Sequence, residues 1–142
     1  MHRSQGLGRL FYRLAVLCLA AGTVVLTSDI HAEPVKGAMR VAAGKTKLVF
    51  VVAGFDTECR STTLPVVSVD APAAKGKVVL KAGETTTVQY SLSGRCIGAK
   101  VQGVAIYYVA ADDAVGADAF SISARMPTGE IATRMFNLHI VD

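Results

Sequence analysis

Apolar and polar residues alternate along most of the chain after residue 32, with the period of two that is typical of half-buried β-strands. In the segment Thr85–Leu92, the apolar residues Val88, Tyr90 and Leu92 fall on one face and polar residues on the other. The same alternation recurs at Phe120, Ile122, Ala124 and Met126 and again at Phe136, Leu138 and Ile140. No stretch after residue 32 repeats at helical spacing. The pattern therefore predicts an all-β domain.

Two segments, Leu48–Ala53 and Val104–Val109, are apolar on both faces, which predicts central strands covered on both sides. Shorter runs follow at Val66–Val69 and Gly76–Lys81. Turn-forming residues separate these segments, at 43–45, 82–84, 93–95, 112–116 and 127–129. About seven short strands at this spacing predict an antiparallel β-sandwich. The turn at 127–129 should join residues 119–126 and 131–141 as a hairpin.

Residues 1–32 have a different character. Arg3, Arg9 and Arg13 precede the apolar run Leu14–Leu26, and Ala32 offers a small residue for cleavage, as in a secretory signal peptide. A membrane-spanning helix needs about 20 apolar residues, so a retained anchor is the less favoured alternative. Cleavage leaves residues 33–142, which is 142 − 32 = 110 residues and enough for one domain. We therefore expect a bacterial periplasmic or secreted protein without a transmembrane segment once the signal is removed.

Two cysteines, Cys59 and Cys96, remain after this cleavage. Thiols oxidise outside the cytoplasm, so we expect a disulfide between them. A metal site or a reactive thiol is the alternative, although only His139 could join the cysteines as a further ligand. The part from residue 33 carries 12 basic and 10 acidic side chains, a net charge of 12 − 10 = +2. These charges are scattered, which argues against a nucleic-acid partner.

The segment Pro72–Val78, then Tyr108, then the segment Gly116–Phe120 resemble bacterial cadherin-like and immunoglobulin-like modules. Those modules typically show Pro-x-x-x-Gly-x-Val, a tyrosine at a strand end, and Gly-x-Asp-x-Phe opening the next strand. The resemblance spans Pro72–Val141, or 70 of the 110 residues, and departs from the family pattern at Val109 and Val115. It implies a single immunoglobulin-like β-sandwich of about seven strands. The structural motif residues that it implies are Gly76, Tyr108, Gly116, Asp118 and Phe120.

Candidate chemistry is sparse. Asp112, Asp113 and Asp118 lie close together, and calcium prefers oxygen ligands of this kind, although a calcium site needs six to eight of them. The favoured interpretation is structural: Asp112 and Asp113 suit a turn, and Asp118 accepts hydrogen bonds from neighbouring backbone amides to hold the loop before Phe120. Met135 and His139 are potential copper ligands, but residues four apart in a strand stand about 13 Å from each other. We find no catalytic constellation or cofactor motif and expect neither an enzyme nor a bound cofactor.

Tyr107 and Tyr108 are adjacent and should therefore point to opposite faces of their strand. Burial of Tyr107 in the core is the favoured interpretation. If Tyr107 is exposed instead, it is a possible interface residue. Lysines cluster near the predicted strands and are expected to protect sheet edges from aggregation, at Lys45, Lys47, Lys75, Lys77 and Lys81. The sequence thus suggests an exported, non-enzymatic module that binds an unknown envelope or surface protein. The alternative is a calcium- or small-ligand-binding protein that uses the loop 112–118.

Overall fold

The computed structural model describes residues 37–91 and 93–142, which form seven β-strands in two sheets. The predicted signal segment, residues 1–32, lies outside the described residues. Within the described part there is no helix that is long and apolar enough to span a membrane. The strands are β1 (Met39–Ala42), β2 (Thr46–Ala53), β3 (Val66–Ala71), β4 (Gly76–Thr87), β5 (Lys100–Ala110), β6 (Gly116–Arg125) and β7 (Ile131–Val141).

The two sheets have the strand orders β1-β7-β6-β3 and β2-β5-β4. The prediction of an all-β protein with about seven strands in a sandwich is confirmed at this level. The prediction that all pairing is antiparallel is wrong, because β1 runs parallel to β7, with Met39 opposite Leu138. The turn between β1 and β2, closed by the Lys45 N–H donating to the Ala42 carbonyl at 3.1 Å, carries the chain from one sheet to the other. β1 therefore pairs with β7 instead of with β2.

The core lies between the inner faces of the two sheets. Phe120 packs with its ring centroid 5.1 Å from that of Phe136 and 6.2 Å from that of Tyr108, and Phe50 contacts Phe136 from the opposite sheet at 5.9 Å. Each fully buried side chain of this kind contributes about 1.5–3 kcal/mol. The predicted inward-facing residues are confirmed as core members, namely Phe120, Ile122, Phe136, Leu138 and Ile140. The predicted hairpin is also confirmed, since Phe120 lies opposite Phe136 in an antiparallel pair.

Strand β4 differs from its sequence prediction. Residues 76–81 and 85–92 were predicted to be two strands separated by a turn at 82–84, whereas the chain runs from Gly76 to Thr87 as one strand. A β-bulge absorbs the expected turn, because the register to β5 shifts between Ala82 and Glu84 while Gly83 adopts a φ of +80°. The chain leaves the sheet after Thr87, so Tyr90 is 74% exposed instead of lying in the core. Leu92 lies outside the described residues.

The two strands that are apolar on both faces occupy different places. β5 lies in the middle of its sheet, as predicted for Val104–Val109. β2 is an edge strand, so the prediction of a central position for Leu48–Ala53 is wrong. Leu48 remains 49% exposed because its outward-facing side has no covering layer. In the sequence, a strand whose apolar outer face is exposed looks the same as a strand whose outer face is covered by another layer.

Candidate functional site

Asp118 lies on the inner face of β6 and is only 8% exposed. Its Oδ1 atom accepts hydrogen bonds from the backbone N–H groups of Ala74 at 3.0 Å and Ala119 at 2.9 Å. Its Oδ2 atom accepts from the N–H of Lys75 at 2.9 Å and from the hydroxyl of Tyr108 at 2.6 Å. A carboxylate offers about four lone-pair sites, which these four donors occupy. Asp118 therefore ties β5, β6 and the connection between β3 and β4 together at one end of the sandwich, here called the Asp118 end.

Gly76 makes room for this arrangement. A Cβ atom at this position would lie 2.6 Å from the Tyr108 hydroxyl oxygen and 2.5 Å from the Val109 carbonyl oxygen. Any larger residue would displace the tyrosine that donates to Asp118. Tyr108 itself is fully buried, with its ring stacked on that of Phe120. The hydrogen bond between Tyr108 and Asp118 therefore requires a residue without a side chain at position 76.

The protonation of the pair follows from burial and these hydrogen bonds. Burial disfavours the charged form of Asp118, but the hydrogen bonds from Tyr108 and the backbone amides of Ala74, Lys75 and Ala119 outweigh it and lower the pKa of the carboxyl. Burial raises the pKa of the Tyr108 hydroxyl, and its hydrogen bond to the negative Asp118 carboxylate raises that pKa further. At neutral pH the pair is therefore an ionised acceptor and a neutral donor.

The structure brings four of the five motif residues into one cluster: Gly76, Tyr108, Asp118 and Phe120. Gly116 opens β6 two residues before Asp118 and adopts a φ of +85°, a conformation that favours glycine. Sequence reasoning anticipated backbone donors to Asp118 but placed them among its neighbours in the chain. Two of the donors, Ala74 and Lys75, come from 44 and 43 residues away. The motif segment 72–78 was the only signal in the sequence for this contact.

Asp112 and Asp113 do not join Asp118 in one site. Both are exposed in the connection between β5 and β6, whereas Asp118 faces the core. They line an open cavity of about 740 Å³ together with Gly44, Lys75 and other residues of the Asp118 end. Within the described residues, no group of three or more His, Cys, Asp or Glu side chains lies close enough to hold a metal ion.

The opposite end of the sandwich carries two long connections joined by a disulfide. Residues 54–65 link β2 to β3, residues 88–99 link β4 to β5, and Cys59 is bonded to Cys96 with a Cα–Cα distance of 5.3 Å. Both cysteines adopt left-handed backbone conformations, with φ of +64° and +63°. Such values are uncommon outside glycine and mark sharp turns of the chain. The predicted disulfide is present, and we call this region the disulfide end.

Charged side chains give the first of these loops a fixed shape. Asp56 accepts from the backbone N–H and Nε of Arg60, both at 2.9 Å, and from the N–H of Glu58 at 3.0 Å. The hydrogen bond from the Arg60 backbone is the largest cause of the lowered pKa of the Asp56 carboxyl. Burial acts in the opposite direction and has a smaller effect. Arg95 of the second loop donates from Nη2 to the Thr57 carbonyl at 3.2 Å. The two loops are therefore held together by a hydrogen bond as well as by the disulfide.

The second loop is closed at its base and exposes two large apolar side chains close to that closure. The Val88 N–H donates to the Ala99 carbonyl at 2.9 Å, and the Gly98 N–H donates to the Val88 carbonyl at 2.8 Å. Val88 is buried beneath the loop, whereas Tyr90 is 74% exposed and Ile97 is 56% exposed. Sequence reasoning missed both residues, because Tyr90 alternates with Val88 as a core residue would. Tyrosine is one of the residue types enriched at the energetic centres of protein interfaces.

Tyr107 lies on the outer face of the three-stranded sheet, opposite in direction to Tyr108, as predicted. The Lys81 ammonium group sits 5.0 Å from the centre of its ring. The side chain is half-buried beside Leu48 and Val79, its partners in the adjacent strands. Tyr107 is therefore part of an accessible sheet face, and its interpretation as a core residue is wrong, because its strand exposes this face to solvent.

The two remaining candidates, Met135 and His139, lie on the outer face of the four-stranded sheet. Met135 is 68% exposed, and His139 lies between Arg40 and Ala117 of the neighbouring strands. His139 is half-buried, and its Nδ1 atom is buried without a hydrogen-bond partner among the described residues. The two residues paired with it across the strands, Arg40 and Ala117, carry no carboxylate. Comparison with protein-family models, curated proteins and solved structures finds no match to this chain.

Proposed function

We propose that the chain is an exported immunoglobulin-like module that binds a protein partner in the periplasm or at the cell surface. The strand order supports the architecture. If β1 to β7 are lettered A to G, the sheets read A-G-F-C and B-E-D, and immunoglobulin constant domains pair C with F and G and B with E and D. The parallel pairing of β1 with β7 moves the first strand to the C-F-G sheet.

The disulfide distinguishes this module from antibody domains. In antibody domains the bridge joins the two sheets and packs against a core tryptophan. Here Cys59 and Cys96 lie in loops, and the chain contains no tryptophan. The bridge therefore fixes the loops of one end, while the core depends on the aromatic cluster of Tyr108, Phe120 and Phe136. Disulfides persist in oxidising compartments, which fits the export that residues 1–32 predict.

The disulfide end carries the binding proposal. Two long loops are joined covalently and present Tyr90 and Ile97 to solvent. The disulfide and the hydrogen bond from Arg95 to the Thr57 carbonyl link the two loops, and linked loops lose less conformational entropy on binding than free loops do. Tyrosine supplies a large contact area with few rotatable bonds and is enriched at interface hot spots. The single observation behind the proposal is the exposure of Tyr90 and Ile97 on a disulfide-linked loop.

Affinity capture from the envelope fraction of the producing cell tests the proposal. The partner captured by the wild-type chain should be lost or weakened at least tenfold by the double substitution Tyr90→Ala and Ile97→Ala. Val115→Ala is the matched control, because Val115 is 53% exposed but lies in the loop between β5 and β6 at the opposite end. A partner lost equally with both variants, or retained by the double variant, would contradict binding through the disulfide end.

A further inference from the structure

The outer face of the three-stranded sheet combines apolar and basic side chains in one surface. Leu48, Tyr107 and Val79 form a row across β2, β5 and β4, because Tyr107 is paired with each of the other two. Lys77 and Lys81 stand two residues before and after Val79 and so project from the same side of β4. We call this set of five residues the lysine face. Its inward counterpart, with Val78, Leu80 and Tyr108, packs on the core.

The apolar part of the lysine face is accessible. Leu48 is 49% exposed and Val79 is 39% exposed, while Tyr107 between them is half-buried. The Lys81 ammonium group contacts the Tyr107 ring, which holds its charge above the apolar row. The surface is therefore a sheet of aliphatic and aromatic groups with positive charge on top of it.

The lysines of this region are not neutralised by ion pairs. Among residues 37–91 and 93–142, the ion pairs join Arg60 to Asp56 and Glu58 at the disulfide end. Two further lysines flank the end of β5, since the Lys45 carbonyl accepts from Ala110 and the Lys75 carbonyl accepts from Ala111. The nearby carboxylates stand at the two ends of the face, on Asp112 and Asp113 in the loop after β5 and on Glu84 beyond the bulge of β4.

We propose that the lysine face binds the surface of a membrane that contains anionic lipids. Lysines bring about 1 kcal/mol each to association with anionic headgroups, and neighbouring aliphatic and tyrosine side chains suit the interfacial region of a bilayer. A second copy of this chain is a poor occupant, because it would place the same unpaired ammonium groups against each other. An extended open face also fits a broad surface better than a small ligand. The proposal does not depend on the partner of the disulfide end.

Vesicle co-sedimentation tests the proposal with the full chain and its variants side by side. The probes are vesicles of phosphatidylcholine alone and of phosphatidylcholine with phosphatidylglycerol, at low and high salt. The double substitution Lys77→Ala and Lys81→Ala should weaken binding to the anionic vesicles roughly 30-fold, as expected for the loss of two lysine contacts. Arg40→Ala with Arg125→Ala is the charge-matched control, because both arginines lie on the other sheet. Circular dichroism verifies that each variant is folded.

Support requires three results together: binding that needs phosphatidylglycerol, a decrease with salt, and a loss in the lysine variant that the arginine control does not share. All variants keep residues 1–32, so binding through that apolar run would be equal in every variant and would overturn the proposal. Equal loss in both double variants would also overturn it, because net charge alone would then explain binding. Absence of binding to the vesicles would reject a membrane surface as the occupant.

Discussion

The Tyr108 hydroxyl donates a 2.6 Å hydrogen bond to Asp118 Oδ2 inside the sandwich. The bond joins β5 of one sheet to β6 of the other, and the same carboxylate holds the backbone of Ala74 and Lys75. A buried charge is tolerated when its hydrogen-bonding capacity is filled, which is the case here. The contact between these two residues therefore determines how the Asp118 end is closed.

Removing the charge of Asp118 should cost more than removing the tyrosine hydroxyl. Tyr108→Phe deletes one donor, and Oδ2 keeps the Lys75 amide, so we expect a loss of about 1–2 kcal/mol in the free energy of unfolding. Asp118→Asn replaces one carboxylate oxygen with an NH₂ group, which faces hydrogen-bond donors and cannot accept from them. We expect a loss of about 3 kcal/mol in the free energy of unfolding. Urea denaturation of both variants measures the difference. The reverse order would contradict the assignment of Asp118 as the centre of the cluster.

Acid should destabilise the protein through Asp118. Its pKa is lowered in the folded state, so its contribution is complete above the unfolded value of about 3.9 and is lost as pH falls through the lower folded value. Denaturation between pH 6 and pH 2 should show unfolding free energy falling below about pH 4. Asp118→Asn should flatten this fall. Asp56→Asn is the control and should flatten it less, because Arg60 and Asp56 form a solvent-accessible pair.

Gly76→Ala should disrupt the cluster by crowding. The new methyl group would lie within 2.6 Å of Tyr108 and Val109, and overpacking of this kind costs about 2–3 kcal/mol. Gly83→Ala in the same strand is the comparison, since its Cβ would meet nothing within 4 Å and only the positive φ of the bulge is strained. That strain costs about 1 kcal/mol. In thermal unfolding, Gly76→Ala should have a lower Tm than Gly83→Ala. An equal decrease in Tm for the two variants would refute the crowding argument.

Opening the disulfide should destabilise the fold and loosen the loops it joins. Cys59 and Cys96 are 37 positions apart, and closing a loop of this length contributes about 4 kcal/mol in the chain-entropy model. The double variant Cys59→Ser and Cys96→Ser should therefore unfold at lower denaturant concentration. Thiol titration of the denatured wild-type protein, purified without reductant, should find neither Cys59 nor Cys96 reactive. Finding both reactive would show that the bridge does not form.

Calcium should leave the melting temperature unchanged. The two Asp118 oxygens each accept two hydrogen bonds, so they offer no free position to an ion. Asp112 and Asp113 alone fall short of the six to eight oxygens that calcium takes. Melting curves with millimolar calcium or magnesium measure this. A rise that calcium produces, magnesium does not, and Asp112→Ala abolishes would restore the loop 112–118 as a binding site.

The sequence by itself determined the strand class, much of the core and the hairpin. Alternation at Phe120 and Ile122, and at Phe136 and Leu138, is a local pattern that a single strand reveals without its neighbours. The turn at 127–129 is equally local. The disulfide was predictable because Cys59 and Cys96 are the only two cysteines in residues 33–142. Each of these features depends on nearby residues or on a count.

The tertiary structure decided what depends on strand order and distant pairing. Leu48–Ala53 reads as a central strand, but only the arrangement of the sheets makes it an edge with Leu48 exposed. The sequence around Gly83 predicts a turn. In the structure, β4 continues through a β-bulge at this point because it pairs with β5 on both sides of the bulge. The amides of Ala74 and Lys75 reach Asp118 across more than 40 residues. Local periodicity carries no information on such contacts, because they form only when the two sheets meet.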